Sequence, residues 1–195
     1  METVRAFIAI ELPDEVRREI GKLQDSFKVG RQDFVKWVSP DSIHLTLKFL
    51  GDIIIEKVPE IISGIEDSVI GIPPFTLRVE GVGVFPGLKR IQVIWVGLAG
   101  DLNYLRSIQK SIEENLFVLG YPDEEREFTP HLTLGRVRFQ PAPEEQQKFA
   151  KLLTSVGFNS TYKINVASIN LMKSQLTPKG AIYTKLGSVN LKHIA

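Results

Sequence analysis

The tetrapeptide His44-Leu45-Thr46-Leu47 returns unchanged as His131-Leu132-Thr133-Leu134 in a chain of 195 residues that has only three histidines. For average composition, the chance that any two of three histidines share their next three residues is roughly one in a thousand. An internal duplication explains the repeat better than coincidence, and it requires two similarly built lobes. The alternation within each copy reads as a β-strand, on which residues i and i+2 project from one face and i+1 and i+3 from the other. Each strand then presents an imidazole and a hydroxyl on one side, and its two leucines anchor the opposite side in apolar packing. Two such strands facing each other make a four-pronged site.

The rest of the chain supplies elements around these strands. Arg5 to Ile10 reads as a buried strand, and Pro13 opens a helix in which Val16, Ile20, Leu23 and Phe27 recur at helical spacing until Gly30. Ile43 to Phe49 alternates as a strand ending at Gly51-Asp52, and Val58 to Val69 marks an amphipathic helix. Phe75 to Phe85 and Ile91 to Val96 read as a hairpin. Asp101 is placed as the N-cap of a helix running to Gly120, and Leu132 to Val137 is the next strand. A last helix spans Pro143 to Gly157, and the strands Tyr162 to Met172 and Ala181 to Leu186 close the chain through a turn at Thr177-Pro178-Lys179-Gly180. This mixed order, with hairpin-joined neighbours, predicts an α+β fold with antiparallel pairing instead of a doubly wound parallel sheet.

Composition removes several functions. A net charge of +1 lacks the cationic surplus of a tight, sequence-independent duplex binder, so any nucleic acid is expected to be held locally in a cleft. Without cysteine there are no disulfides, thiolate metal sites or cysteine nucleophile, and a cytoplasmic location fits. The apolar start at Phe7 to Ile10 is too short for a signal segment, and no run has membrane length. Neither a Walker A loop nor a dinucleotide-binding glycine fingerprint is present.

A single His-x-Thr is ordinarily a solvated position on an amphipathic strand, but two identical copies reverse that preference. Two histidines without a helical His-x-x-x-His or a nearby carboxylate lack the third and fourth ligands of a metal site, so no metal and no cofactor are expected. Two imidazoles around one phosphate give a complete hydrolytic mechanism: a neutral ring deprotonates water while a protonated ring supplies the leaving oxygen. The Thr46 and Thr133 hydroxyls are placed to hydrogen-bond the non-bridging oxygens. Lys48 is in phase with His44 and Thr46 on a regular strand, and so it is a further phosphate-binding candidate. Arg136 suits a phosphate bidentately. On a regular strand, however, it points away from His131 unless Gly135 forms a bulge.

Carrying these motifs, the chain resembles the 2H phosphoesterases, specifically the RNA 2′,3′-cyclic phosphodiesterases also called 2′-5′ RNA ligases. The likeness runs through Arg5 to Ile10, Trp37-Val38-Ser39-Pro40, His44 to Gly51, Phe128 to Arg136 and Gly180 to Tyr183. It implies a bilobal fold with pseudo-twofold, duplicated lobes, antiparallel sheets flanking a central cleft and helices on the outer faces. Residues 1–195 would form one domain of two interleaved lobes, with one motif in each (44–47 and 131–134). It also implies His44 as proton donor, His131 as acceptor, a 2′-phosphate product and a reverse 2′-5′ ligation. The expected partner is an RNA with a 2′,3′-cyclic phosphate end, tRNA fragments included, bound by a monomer. Phe7, Trp37 and Tyr183 are candidates to stack on a base. His193 has no matching threonine and is assigned no role. The competing readings are a phosphodiesterase acting on another nucleotide cyclic phosphate or a 2′-5′ oligonucleotide, and a non-catalytic RNA-end-binding module.

Overall fold

The structure, a computed structural model, describes residues 2–28, 33–124, 127–178 and 180–192. Gly30, Lys179 and His193, named above, lie outside the described residues. The elements run β1 (Thr3–Glu11), α1 (Asp14–Phe27), β2 (Val35–Trp37), β3 (His44–Ile54), α2 (Val58–Ser68), β4 (Phe75–Gly87), β5 (Arg90–Gly100), α3 (Leu102–Val118), β6 (His131–Val137), α4 (Pro143–Ser155), β7 (Asn159–Val166), β8 (Ser168–Thr177) and β9 (Gly180–Asn190). They form two antiparallel sheets, ordered β3-β1-β8-β9 and β2-β6-β5-β4-β7. The α+β, antiparallel expectation therefore holds, with one motif strand in each sheet.

Each sheet buries one face against helices, and the two central helices are exchanged. Helix α1 follows β1 of the first sheet but packs on the second, where Gln24 bonds Leu134 of β6 and the Glu19 carboxylate accepts from the Thr161 amide of β7. Helix α3 follows β5 of the second sheet but packs on the first, where Glu113 meets Lys48 of β3. The motif leucines Leu45, Leu47, Leu132 and Leu134 all lie in the resulting core. Burying each leucine side chain contributes about 1.5–3 kcal/mol, so the faces opposite the histidines are firmly anchored.

Three expectations need correction. The run Tyr162 to Met172 is two strands in different sheets, not one. The chain crosses between them at Ala167, whose carbonyl accepts the Leu191 amide at 2.8 Å. A crossing made without Gly or Pro leaves no turn signal. Strand β3 does not end at Gly51-Asp52 but continues to Ile54 through Gly51, whose φ of 71° suits glycine. Asp101 stands at the N-cap position of α3 as expected, but its carboxylate makes no capping bond; it accepts the Thr76 amide at 2.9 Å, tying the helix start to β4.

Candidate active site

A cleft of about 860 Å³ lies between the sheets, and His44, Thr46, His131 and Thr133 all line it. Strand β3 packs against β6 there. The imidazoles are held identically: His44 Nδ1 lies 3.0 Å from the Ser42 carbonyl oxygen, and His131 Nδ1 lies 2.7 Å from that of Thr129. A carbonyl only accepts, so in both rings Nδ1 carries the proton and Nε2 is left for the cleft. Phe7 lies 4.6 Å from the His44 ring and Tyr183 stands edge-on to it at 4.9 Å, whereas Phe85 and Trp95 flank His131. Burial among these rings pushes the His44 pKa below its ordinary value. Its Ser42 bond opposes the shift, nearby Arg17 adds to it, and Glu11 opposes it.

A bulge falls at the fourth residue of each motif. Pairing of β1 with β3 skips Leu47, and pairing of β5 with β6 skips Leu134, the same position in both copies. An extra residue reverses the facing of everything after it. Lys48 is thereby turned into the interior, 1% exposed, where its ammonium pairs with Glu113 and donates to the Pro122 carbonyl at 2.7 Å. The expectation that Lys48 reaches a phosphate is corrected by this bulge. In the second copy the bulge at Leu134-Gly135 brings Arg136 round to line the cleft.

The aromatic candidates part company. Tyr183 lines the cleft, and burial raises its phenol pKa while the Arg136 guanidinium opposes the rise, so the hydroxyl stays protonated near neutral pH. Phe7 borders the cleft but is 3% exposed and packs with Ala9, Met172 and Tyr183 beneath His44, which leaves no free face for a base. Trp37 stacks on Phe27 at 6.3 Å, packs on the core and does not line the cleft, so its stacking expectation is also corrected.

Among the cleft residues that escaped the sequence reading are Phe49 and Phe85. Phe49, 58% exposed, lines the cleft at the first-motif position that Arg136 occupies in the second. Aligning the two copies two residues further would have exposed it. Phe85 enters from β4, with no motif to mark it. Among the described residues no three His, Asp or Glu side chains cluster in a way that could hold a metal ion, and no helix is long and apolar enough to cross a membrane.

The sequence model of the LigT like phosphoesterases matches residues 10–95 and, separately, residues 96–183. The RNA 2′,3′-cyclic phosphodiesterase of Methanothermobacter thermautotrophicus is 34% identical over 94% of this chain and 96% of its own. The protein of the same name from Methanocaldococcus jannaschii is 36% identical over 92% and 96%. A crystal structure of E. coli LigT complexed with 3′-AMP superposes with a TM-score of 0.80 at 26% identity, covering 98% of this chain and 100% of that one. Since each half is matched in its own right, and the same doubling is visible in the two sheets, this chain belongs to the LigT-like phosphoesterase family.

Proposed function

We propose that this protein hydrolyses RNA 2′,3′-cyclic phosphodiester ends to 2′-phosphomonoesters, with His44 and His131 as its acid and base. The observation that carries the reading is the matched pair of imidazoles, each tethered at Nδ1 to the carbonyl two residues before it and each bordering one cleft. The substrate class follows the relatives matched over nearly the whole chain, which bear the name RNA 2′,3′-cyclic phosphodiesterase. His131 Nε2 takes a proton from water, the resulting hydroxide attacks phosphorus, and the bond from phosphorus to the 3′ oxygen breaks. His44 Nε2–H donates its proton to that oxygen, leaving the phosphate on the 2′ oxygen. The Thr46 and Thr133 hydroxyls and the Arg136 guanidinium meet the charge that builds on the non-bridging oxygens.

The lowered pKa of His44 favours a neutral ring in the empty cleft. An anionic phosphate beside it favours the imidazolium, so substrate binding and His44 protonation reinforce each other. The polarity, His44 donating and His131 accepting, is what the resemblance to the RNA 2′,3′-cyclic phosphodiesterases implies for the first and second motifs. Run backwards, the same groups join a 2′,3′-cyclic end to a 5′-hydroxyl in a 2′-5′ linkage, with hydrolysis favoured because water is abundant. The reading requires no metal or cofactor and describes a cytoplasmic monomer acting on RNA ends, tRNA fragments among them.

The test is a short RNA with a 2′,3′-cyclic phosphate, incubated with and without a chelator, with the product phosphate located by phosphorus NMR. A 2′-monoester formed equally under both conditions is expected. A 3′-monoester would overturn the polarity, and no product would overturn the activity. Loss on chelation that added metal restores would overturn the two-histidine scheme.

A further inference from the structure

The bulge in each motif is held by a helix from the opposite half of the chain. In the second motif the holder is Gln24 of α1, fully buried and outside the cleft. Its Nε2 donates to the Val38 carbonyl at 2.7 Å and to the Leu134 carbonyl at 2.9 Å, while the Val38 amide donates to that same Leu134 oxygen at 2.8 Å. An NH₂ group has two donors, and here both go to backbone at the end of the β2–β6 ladder, one of them to the bulged residue itself. The Gln24 Oε1 is buried without a partner. Leaving such an acceptor unpaired costs about 1–3 kcal/mol. An apolar side chain would avoid that cost, so packing alone does not account for a glutamine on the buried stripe of α1.

The first motif has the same device in different chemistry. Gln24 follows buried Leu23 and precedes buried Phe27 by three residues; Glu113 follows buried Ile112 and precedes buried Leu116 by three. Glu113 receives the ammonium of Lys48, the residue just past the first bulge. The equivalent residue in the second motif is Gly135, where a Cβ would meet Trp37, Val35 and the Lys36 carbonyl at 3.1–3.3 Å. Gly135 has no side chain to reach the helix, and one added there would be crowded, so the helix residue reaches the backbone.

We infer that Gln24 is a positioning residue that clamps the Leu134 bulge and so holds Arg136 in the cleft. Its activity readout rests on the proposed function; its binding readout does not. Without the amide, the Val38 carbonyl loses its donor and the bulge can relax toward a regular strand, in which Arg136 faces away from His131.

The test is a double-mutant cycle over Gln24→Met and Arg136→Ala, reading the Kd of adenosine 2′-monophosphate by calorimetry, with melting curves and hydrolysis of the cyclic-phosphate RNA alongside. Arg136→Ala should weaken binding roughly 10- to 100-fold, the size expected for hydrogen bonds to a charged group. Gln24→Met should weaken it several-fold (on the order of fivefold) in the wild-type background and by less than about twofold once Arg136 is gone. A merely structural role would lower the melting temperature in both backgrounds and leave the losses in Kd additive. Additive losses, an unchanged Kd in Gln24→Met, or an unchanged Kd in Arg136→Ala would each overturn the inference. Gln24→Asn, which keeps the amide but draws it back by one methylene, enters the same cycle if the methionine variant does not fold. Coupled binding losses with no hydrolysis by the wild type would overturn the catalytic reading and support the clamp. Hydrolysis with additive losses would do the reverse.

Discussion

The two motif strands carry the same four residues and the same bulge at the fourth, and they diverge from the residue beyond it. Lys48 and Phe49 follow the first bulge; Gly135 and Arg136 follow the second. One side of the cleft therefore offers an aromatic face and the other a guanidinium. A phosphodiester is flanked by unlike groups, an attacking water and a leaving ribose oxygen. A duplicated fold supplies two equivalent imidazoles, and the acid and base roles proposed for them would draw on departures from that symmetry. The surroundings of the histidines differ as well: Phe7 and Tyr183 lie against His44, and Phe85 and Trp95 lie against His131.

The largest effect should come from breaking what the two sides share. His44→Ala and His131→Ala are each expected to lower kcat/KM for a cyclic-phosphate RNA by about 10²–10⁴ while the protein stays folded by circular dichroism. The double variant should be no worse than the poorer single one, because an acid and a base in one step act as a unit. Rate losses that multiply in the double variant would mean that the rings serve separate steps.

Next in size is the difference between the two clamps. Lys48→Met strands the Glu113 carboxylate beside the core, and removing one partner of a buried pair costs about 3–5 kcal/mol. Lys48→Met combined with Glu113→Leu should recover most of that loss, since an apolar pair of similar volume is often as stable as the ions it replaces. Gln24→Met leaves the Val38 carbonyl unpaired but also removes the unpaired Gln24 Oε1, and so should cost less, under about 3 kcal/mol. Urea unfolding of the four proteins checks the order, and a Gln24→Met loss as large as that of Lys48→Met would contradict the different chemistry assigned to the two clamps.

How much of this was legible follows from where each feature resides. The histidines, the threonines and the buried leucines could be read because strand parity over four residues is a local property. Lys48 and Arg136 could not be placed that way, because a bulge is a property of the pairing of β3 with β1 and of β6 with β5, and a single strand does not record its partner's register. The conditional reading of Arg136 named the right device because Gly135 marked the spot; nothing comparable marks Leu47. Gln24 carried a signal that went unused, a polar residue on the stripe of Val16, Ile20, Leu23 and Phe27. The exchange of α1 and α3 between sheets leaves no trace in periodicity, since a helix face reads as apolar whichever sheet it covers.

The smallest effect concerns His44 alone and appears in stability, not rate. In the folded chain its pKa lies below the ordinary value of about 6.5, which the unfolded chain retains. Between the two values the unfolded state binds more protons, so stability rises with pH across that window and falls as pH drops through it. Below the folded pKa the penalty is complete and no longer changes; above about 6.5 it is absent. The urea midpoint of the wild type should therefore decline on acidification from pH 7, and His44→Gln should remove that part of the decline. His131→Gln, which leaves Phe7 and Tyr183 around His44, should keep it. Equal acid slopes in the wild type and His44→Gln would show that enclosure by Phe7 and Tyr183 does not lower the His44 pKa.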